Sequence, residues 1–150
     1  MQLQFLEGSV PLTKAYEQTP NGLTKTPYPF IWEFTSHNET VSSLTQLEAA
    51  LKAHAALGHC LLKGQLARPL VKESRAGTTN TNQETELVVL DLDGLPMKSV
   101  DAFLDALGLG DISYVVQWSA SYSIENKDLR CHVFMLLDKP MAAPLLKQWL

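Results

Sequence analysis

The apolar and polar positions divide the chain into a loosely patterned first half and a strongly patterned second half. Residues 8–29 are rich in Pro, Gly, Thr and Asn, including Asn21-Gly22 and Pro27-Tyr28-Pro29, and predict turns rather than long regular elements. Phe30-Ile-Trp-Glu-Phe34 predicts a short strand. Leu44, Leu47, Leu51 and Ala55 then recur at helical spacing and predict a helix over about 43–57, with Ser43 and Gln46 as a capping box and Gly58 at its end. Cys60 to Gly64 suits a further short strand, and the polar stretch 73–85 suits a mobile loop.

From residue 86 the pattern sharpens. Glu86-Leu-Val-Val-Leu-Asp-Leu-Asp93 predicts a buried strand, stopped by Gly94 and Pro96. Ser99 can cap a helix carrying Val100, Phe103, Leu104 and Leu107 that ends at Gly108 to Gly110. Two strands follow, Ile112 to Ser119 and Leu129 to Leu137, joined by the polar residues 120–128, and a last helix begins near Pro144. The order strand, helix, strand, strand, helix predicts an α+β fold of two layers, with helices on one face of a sheet, like half of a ferredoxin-like unit. The length fits a single domain over 1–150, in which 1–85 form an N-terminal part and 86–150 the main unit. The closing segment Met141 to Leu150 has no capping Gly or Asn and no polar tail, which predicts a domain cut short.

Charge changes this picture little. A net charge of −4 and a pI near 5.5 give no overall basic signature, so contact with nucleic acid has to come from local clusters. Lys63, Arg68, Lys72 and Arg75 form one such stretch. Cys60 and Cys131 lie far apart in unrelated apolar contexts, which predicts neither a disulfide framework nor a zinc site. No signal-like start and no apolar run approaching about 18 residues is present, so the expectation is a cytoplasmic protein with no membrane partner.

The candidate chemistry sits at the ends of the two best strands. Asp91 and Asp93, two apart in a strand, point to the same face and repel one another, a conflict that a hard divalent cation such as Mg²⁺ or Mn²⁺ removes. Alternation on the last strand puts Arg130, His132, Phe134 and Leu136 on one face, and Leu129, Cys131, Val133, Met135 and Leu137 on the other, which reads as core. Arg130 and His132 thus lie together beside a hydroxyl-rich loop containing Ser119 and Ser121, a setting suited to phosphate oxygens.

In this order, Leu87-Val-Val-Leu-Asp-Leu-Asp-Gly94, a helix, Gln117-Trp-Ser-Ala-Ser121 and Leu129-Arg-Cys-His-Val-Phe-Met135 resemble the archaeo-eukaryotic primases. Within that family they are most similar to the primase-polymerases of phages, plasmids and other mobile elements. Leu137-Asp-Lys-Pro140, and more loosely Gly58 to Gly64 with Glu73 to Gly77, extend the likeness. The resemblance implies an RRM-like primase core, incomplete at its C-terminus, and metal-dependent phosphodiester formation from nucleoside triphosphates on a single-stranded DNA template. It implies Asp91 and Asp93 as metal ligands, His132 as a contact of the incoming nucleotide's phosphates with Arg130 helping, and Ser119 or Ser121 as the motif serine. Lys63 and Arg75 become template or triphosphate contacts, and a fused or separate replicative helicase is left open as a partner. The family's third metal-binding acid has no counterpart here: Asp138, the sole acid after His132, stands beside Lys139-Pro140 as a turn residue.

Two other classes share these residues. Asp91-Leu-Asp-Gly94 also resembles the first motif of haloacid-dehalogenase-like phosphatases, with Asp91 as nucleophile and Asp93 as general acid. That chemistry needs several further strand–helix units, whereas two adjacent strands follow here. A non-catalytic module binding single-stranded nucleic acid or a protein partner is the third class, carried by the basic stretch alone.

Overall fold

The computed structural model describes residues 1–80, 83–124 and 127–149. In chain order the elements are β1 (Gln2–Glu7), β2 (Ala15–Thr19), β3 (Gly22–Thr26), β4 (Thr35–Thr40), α1 (Leu44–Ala56), β5 (Cys60–Leu61) and β6 (Gln65–Leu66). They continue with β7 (Thr79–Asn80), β8 (Glu84–Leu95), α2 (Val100–Ala106), β9 (Val115–Trp118), β10 (Leu129–Ala142) and α3 (Ala143–Trp149). The fold is mixed α+β and mostly strand. No helix among the described residues is long and apolar enough to cross a membrane.

The second half follows its sequence pattern. β8, β10 and β9 form an antiparallel sheet in that order, so the last strand lies between the two that precede it. Val88 and Leu92 of β8 and Cys131, Val133 and Met135 of β10 turn one face toward Val100 and Leu104 of α2 and Leu146 of α3. The alternation also explains the other face, where Leu87 and Phe134 are buried. The sequence pattern predicts helices on one face alone. Instead, the second face is covered by the N-terminal part, through Leu3 and Phe5 of β1 and Leu47 and Leu51 of α1. Val133 and Leu47 are fully shielded from solvent, one on each side of the sheet.

The N-terminal part departs further from its pattern. Residues 30–33 form no strand. Phe34 makes only an isolated bridge to Glu73, and the strand lies just beyond it as β4, whose polar sequence Thr-Ser-His-Asn-Glu-Thr carries no apolar alternation. β4 pairs antiparallel with β1, and β5 pairs with the other edge of β1. Within the turn-rich stretch, β2 and β3 form a hairpin in which Thr19 pairs with Gly22, whose positive φ of 114° suits a residue without Cβ. The expected loop 73–85 contains β7 and the start of β8; its residues 81 and 82 lie outside the described residues. Residues 125 and 126 of the expected 120–128 connection do so too.

α1 starts as its sequence predicts, with Ser43 Oγ accepting from the Gln46 amide at 3.2 Å. The Gln46 side chain, however, accepts from the Ser42 amide at 2.8 Å rather than from the cap itself. Its buried stripe is Leu47, Leu51 and His54, with Ala55 exposed. His54 stacks flat on Phe5 with ring centroids 3.7 Å apart, so a histidine occupies the place expected for alanine.

Candidate functional site

The pairing of β8 with β10 decides which side chains meet. His132 lies opposite Asp91 and Arg130 opposite Asp93, and residues directly opposite on antiparallel strands have side chains within reach. His132 Nε2 stands 3.3 Å from Asp91 Oδ1, and Arg130 donates to Asp93 Oδ1 at 2.5 Å. On the other flank of β10, Gln117 of β9 lies opposite His132, giving a row of Asp91, His132 and Gln117 across three strands. In the sequence, Gln117 is legible only as part of a motif string.

The N-terminal part contributes one more charge. β5 is anchored by its pairing with β1, and the chain after it is held by the Leu62 amide donating to the Gln4 carbonyl at 2.8 Å. Lys63 then reaches across the sheet and donates to Asp91 Oδ2 at 2.8 Å. Lys63, more than anything else, holds the Asp91 carboxyl below the usual carboxylate range, with His132 adding to the effect. Burial pushes His132 down, only partly opposed by Asp91, so its imidazole is neutral near pH 7 and Nε2–H is the donor to the carboxylate.

These residues line a cleft of about 450 Å³ that includes Asp91, Asp93, His132, Ser119 and Lys63. The Ser119 amide donates to the Arg130 carbonyl at 2.8 Å, which fixes the start of the loop against β10. The two expected serines separate in role: Ser119 faces the cleft, whereas Ser121 is buried, its hydroxyl 3.1 Å from that of Ser119. Arg75 is not brought to the acidic pair. It lines a larger neighbouring groove of about 1130 Å³ together with Phe30, Trp32 and Lys147. Lys63 and Tyr28 border both spaces. Of the remaining basic stretch, Arg68 is engaged by both carboxylate oxygens of Glu73, at 2.7 and 2.6 Å. Asp138 is exposed, within the register shift between Leu136 and Met141 of β10 and six residues from His132, and is no part of the cleft.

Gly94 determines how Arg130 reaches Asp93. Its φ is +83°, and a Cβ there would stand 3.1 Å from the Arg130 guanidinium. Gly94→Ala is therefore expected to cost about 1 kcal/mol or somewhat more from backbone strain and to displace Arg130. Thermal unfolding would register the first effect and a changed salt dependence of anion binding the second.

Two exposed carboxylates on one strand face suit a hard divalent cation, which commonly takes one or two protein carboxylates and completes its shell with phosphate oxygens and water. The Asp91 and Asp93 side chains are 56% and 81% exposed, so room exists, but each now holds a cationic side chain that an ion would have to displace. The cluster that sequence reading missed lies elsewhere: Glu7, His37, His54 and His59, drawn from β1, β4, α1 and the turn after it. Burial, and then His37 and His54, hold His59 below the ordinary histidine range. No spacing rule could gather these residues, since the pairing of β1 with β4 brings them together. Cys60 and Cys131 are free thiols. No family model matches the chain, and neither a curated protein nor a solved structure matches it.

Proposed function

We propose that this chain carries the nucleotidyltransferase site of a primase-polymerase of the archaeo-eukaryotic type, a DNA primase/polymerase serving replication of a mobile element. The observation that carries the reading is the register that sets Asp91 and Asp93 against His132 and Arg130 on one face of adjacent strands, at a cleft with Ser119 and Lys63 on its walls. The strand order supports the RRM-like core: β8, α2 and β9 with β10 inserted between the two strands is the split βαβ arrangement of a ferredoxin-like unit. The same antiparallel neighbours disfavour a haloacid-dehalogenase-like phosphatase, whose sheet is built from parallel strand–helix units.

In the proposed reaction a 3′-hydroxyl attacks the α-phosphate of a nucleoside triphosphate; the new ester bond forms there, the α–β P–O bond breaks, pyrophosphate leaves, and the hydroxyl proton passes to solvent. Asp91 and Asp93 would hold Mg²⁺ or Mn²⁺, which supplies charge neutralisation on the phosphates and activation of the attacking hydroxyl. Lys63 and Arg130, released from the two carboxylates, turn to phosphate oxygens as charge-assisted donors. His132 redirects its Nε2–H from Asp91 to the triphosphate, and the Ser119 hydroxyl adds a neutral donor. The larger groove supports a single-stranded template path: Phe30 and Trp32 are 80% and 70% exposed, packed edge to face at 4.9 Å, beside Arg75. Exposed aromatics next to cations are the usual platform for stacked bases. Trp32→Ala is expected to weaken binding of a short oligodeoxynucleotide roughly tenfold, from the loss of about 1–3 kcal/mol of stacking, as read by fluorescence anisotropy.

Equilibrium binding of a nucleoside triphosphate with Mn²⁺ and with chelator tests the reading. Binding that needs Mn²⁺ supports it. Absence of binding, or hydrolysis of p-nitrophenyl phosphate with beryllofluoride trapped on Asp91, overturns it, and oligonucleotide binding indifferent to chelator with no triphosphate binding leaves only a binding module.

A further inference from the structure

Three of the chain's four histidines gather with two acids, Glu7 and Glu39, along one face of the β1–β4 pair. His37 on β4 lies opposite Phe5, and its Nε2 is 2.7 Å from the Glu7 carboxylate on β1. The rings of His37 and His59 lie nearly parallel, centroids 4.8 Å apart. Glu7, His37 and His59 each offer a ligand atom within 4.8 Å of the others. Donors around a tetrahedral ion with bonds of about 2.0–2.2 Å stand roughly 3.3–3.6 Å apart, so small rotations of partly exposed side chains would close the set.

With both rings neutral, hydrogen bonding behind this group selects their tautomers. His54 Nε2 lies 3.3 Å from the Glu39 carboxylate, which only accepts, so Nε2 carries the proton and His54 Nδ1 holds a lone pair. His59 Nδ1, 2.9 Å from that lone pair, must then donate, which leaves His59 Nε2 unprotonated. A histidine whose second nitrogen donates into a chain ending on a carboxylate is the arrangement that orients metal-bound imidazoles and raises their basicity. His54 is buried and stacked on Phe5, which orients its ring.

We propose that Glu7, His37 and His59 bind a divalent transition-metal ion of the zinc type, with His54 and Glu39 positioning His59. Two imidazoles and one carboxylate suit such an ion and not Mg²⁺, whose preference is for oxygen. The site uses neither the Asp91–Asp93 pair nor either cysteine, and it ties β1, β4 and the turn after α1 together. His59 also lines the cleft that contains Asp91 and His132, so the experiment has to tell the two positions apart.

Calorimetric titration of the full chain with Zn²⁺ in chelator-free buffer is the test, repeated on His37→Ala, His59→Ala, Glu7→Gln and the double variant Asp91→Asn/Asp93→Asn. One ion per chain is expected with a dissociation constant of about 1 μM or tighter, weakened about 100-fold or more by either histidine change and unaltered in the double variant. Zinc should raise the unfolding temperature of the parent chain and not that of Glu7→Gln, a change at a side chain 48% exposed that keeps the test open if a histidine variant folds poorly. Absence of 1:1 binding, binding indifferent to His37, His59 and Glu7, or binding lost in the double variant each overturns the proposal.

Discussion

Asp91→Ala is expected to weaken Mn²⁺-dependent triphosphate binding roughly 10- to 100-fold while leaving the unfolding temperature almost unchanged. The carboxylate receives Lys63 at 2.8 Å and His132 at 3.3 Å, yet its side chain is more than half exposed. Ion pairs so placed contribute little to folding, about 0–1 kcal/mol. For a ligand the balance differs, because Asp91 is one of two carboxylates facing the cleft, and losing one charge-assisted contact costs about 1.5–3 kcal/mol, roughly 10- to 100-fold in affinity before the surplus positive charge of Lys63 is counted. Paired titration and thermal melts on the variant would separate the effects. Full triphosphate affinity in the variant would remove Asp91 from the site.

Phe134→Ala should act first on stability. Phe134 is 2% exposed and packs the second face of the β8–β10–β9 sheet against Leu3 and Phe5 of β1 and Leu47 and Leu51 of α1. Deleting a buried phenyl ring costs about 3–5 kcal/mol, a large fraction of the roughly 5–15 kcal/mol that holds a domain folded. At this chain length the unfolding temperature should fall by roughly 6–20 °C. The lesion would reach the cleft as well, because the same packing carries β5 and therefore Lys63 to Asp91. A melt within a degree or two of the parent would show that the N-terminal part does not depend on this face.

The contrast between these residues shows what a sequence can reveal. Asp91, Asp93, Arg130 and His132 lie on two strands whose apolar alternation is dense, so their faces could be read directly, and the antiparallel register then placed them opposite one another. Phe134 belongs to that same face, and its burial was hidden because a period of two cannot say whether a second layer covers the sheet. β4 escaped because a strand of Thr, Ser, His, Asn and Glu is fixed by its partner β1 rather than by its own propensity. Lys63 and Arg75 were linked by charge in the sequence, but their destinations were set by β5 on one side and the groove beside Phe30 and Trp32 on the other. His54 was overlooked for a simpler reason: helical spacing allowed Ala55 as the fourth apolar position, and only the stack on Phe5 selects its neighbour.

The two pairs Lys63–Asp91 and Arg130–Asp93 make a tetrad with no net charge. A small cation taken by the carboxylates liberates two positive side chains, and an anion taken by those side chains liberates two carboxylates. Linkage then requires that each ligand strengthen the other by the same factor, whichever arrives first. Either ion alone would have to break the existing pairs for partial return, so a solution containing one of them should leave the tetrad closed, and the two together should open it.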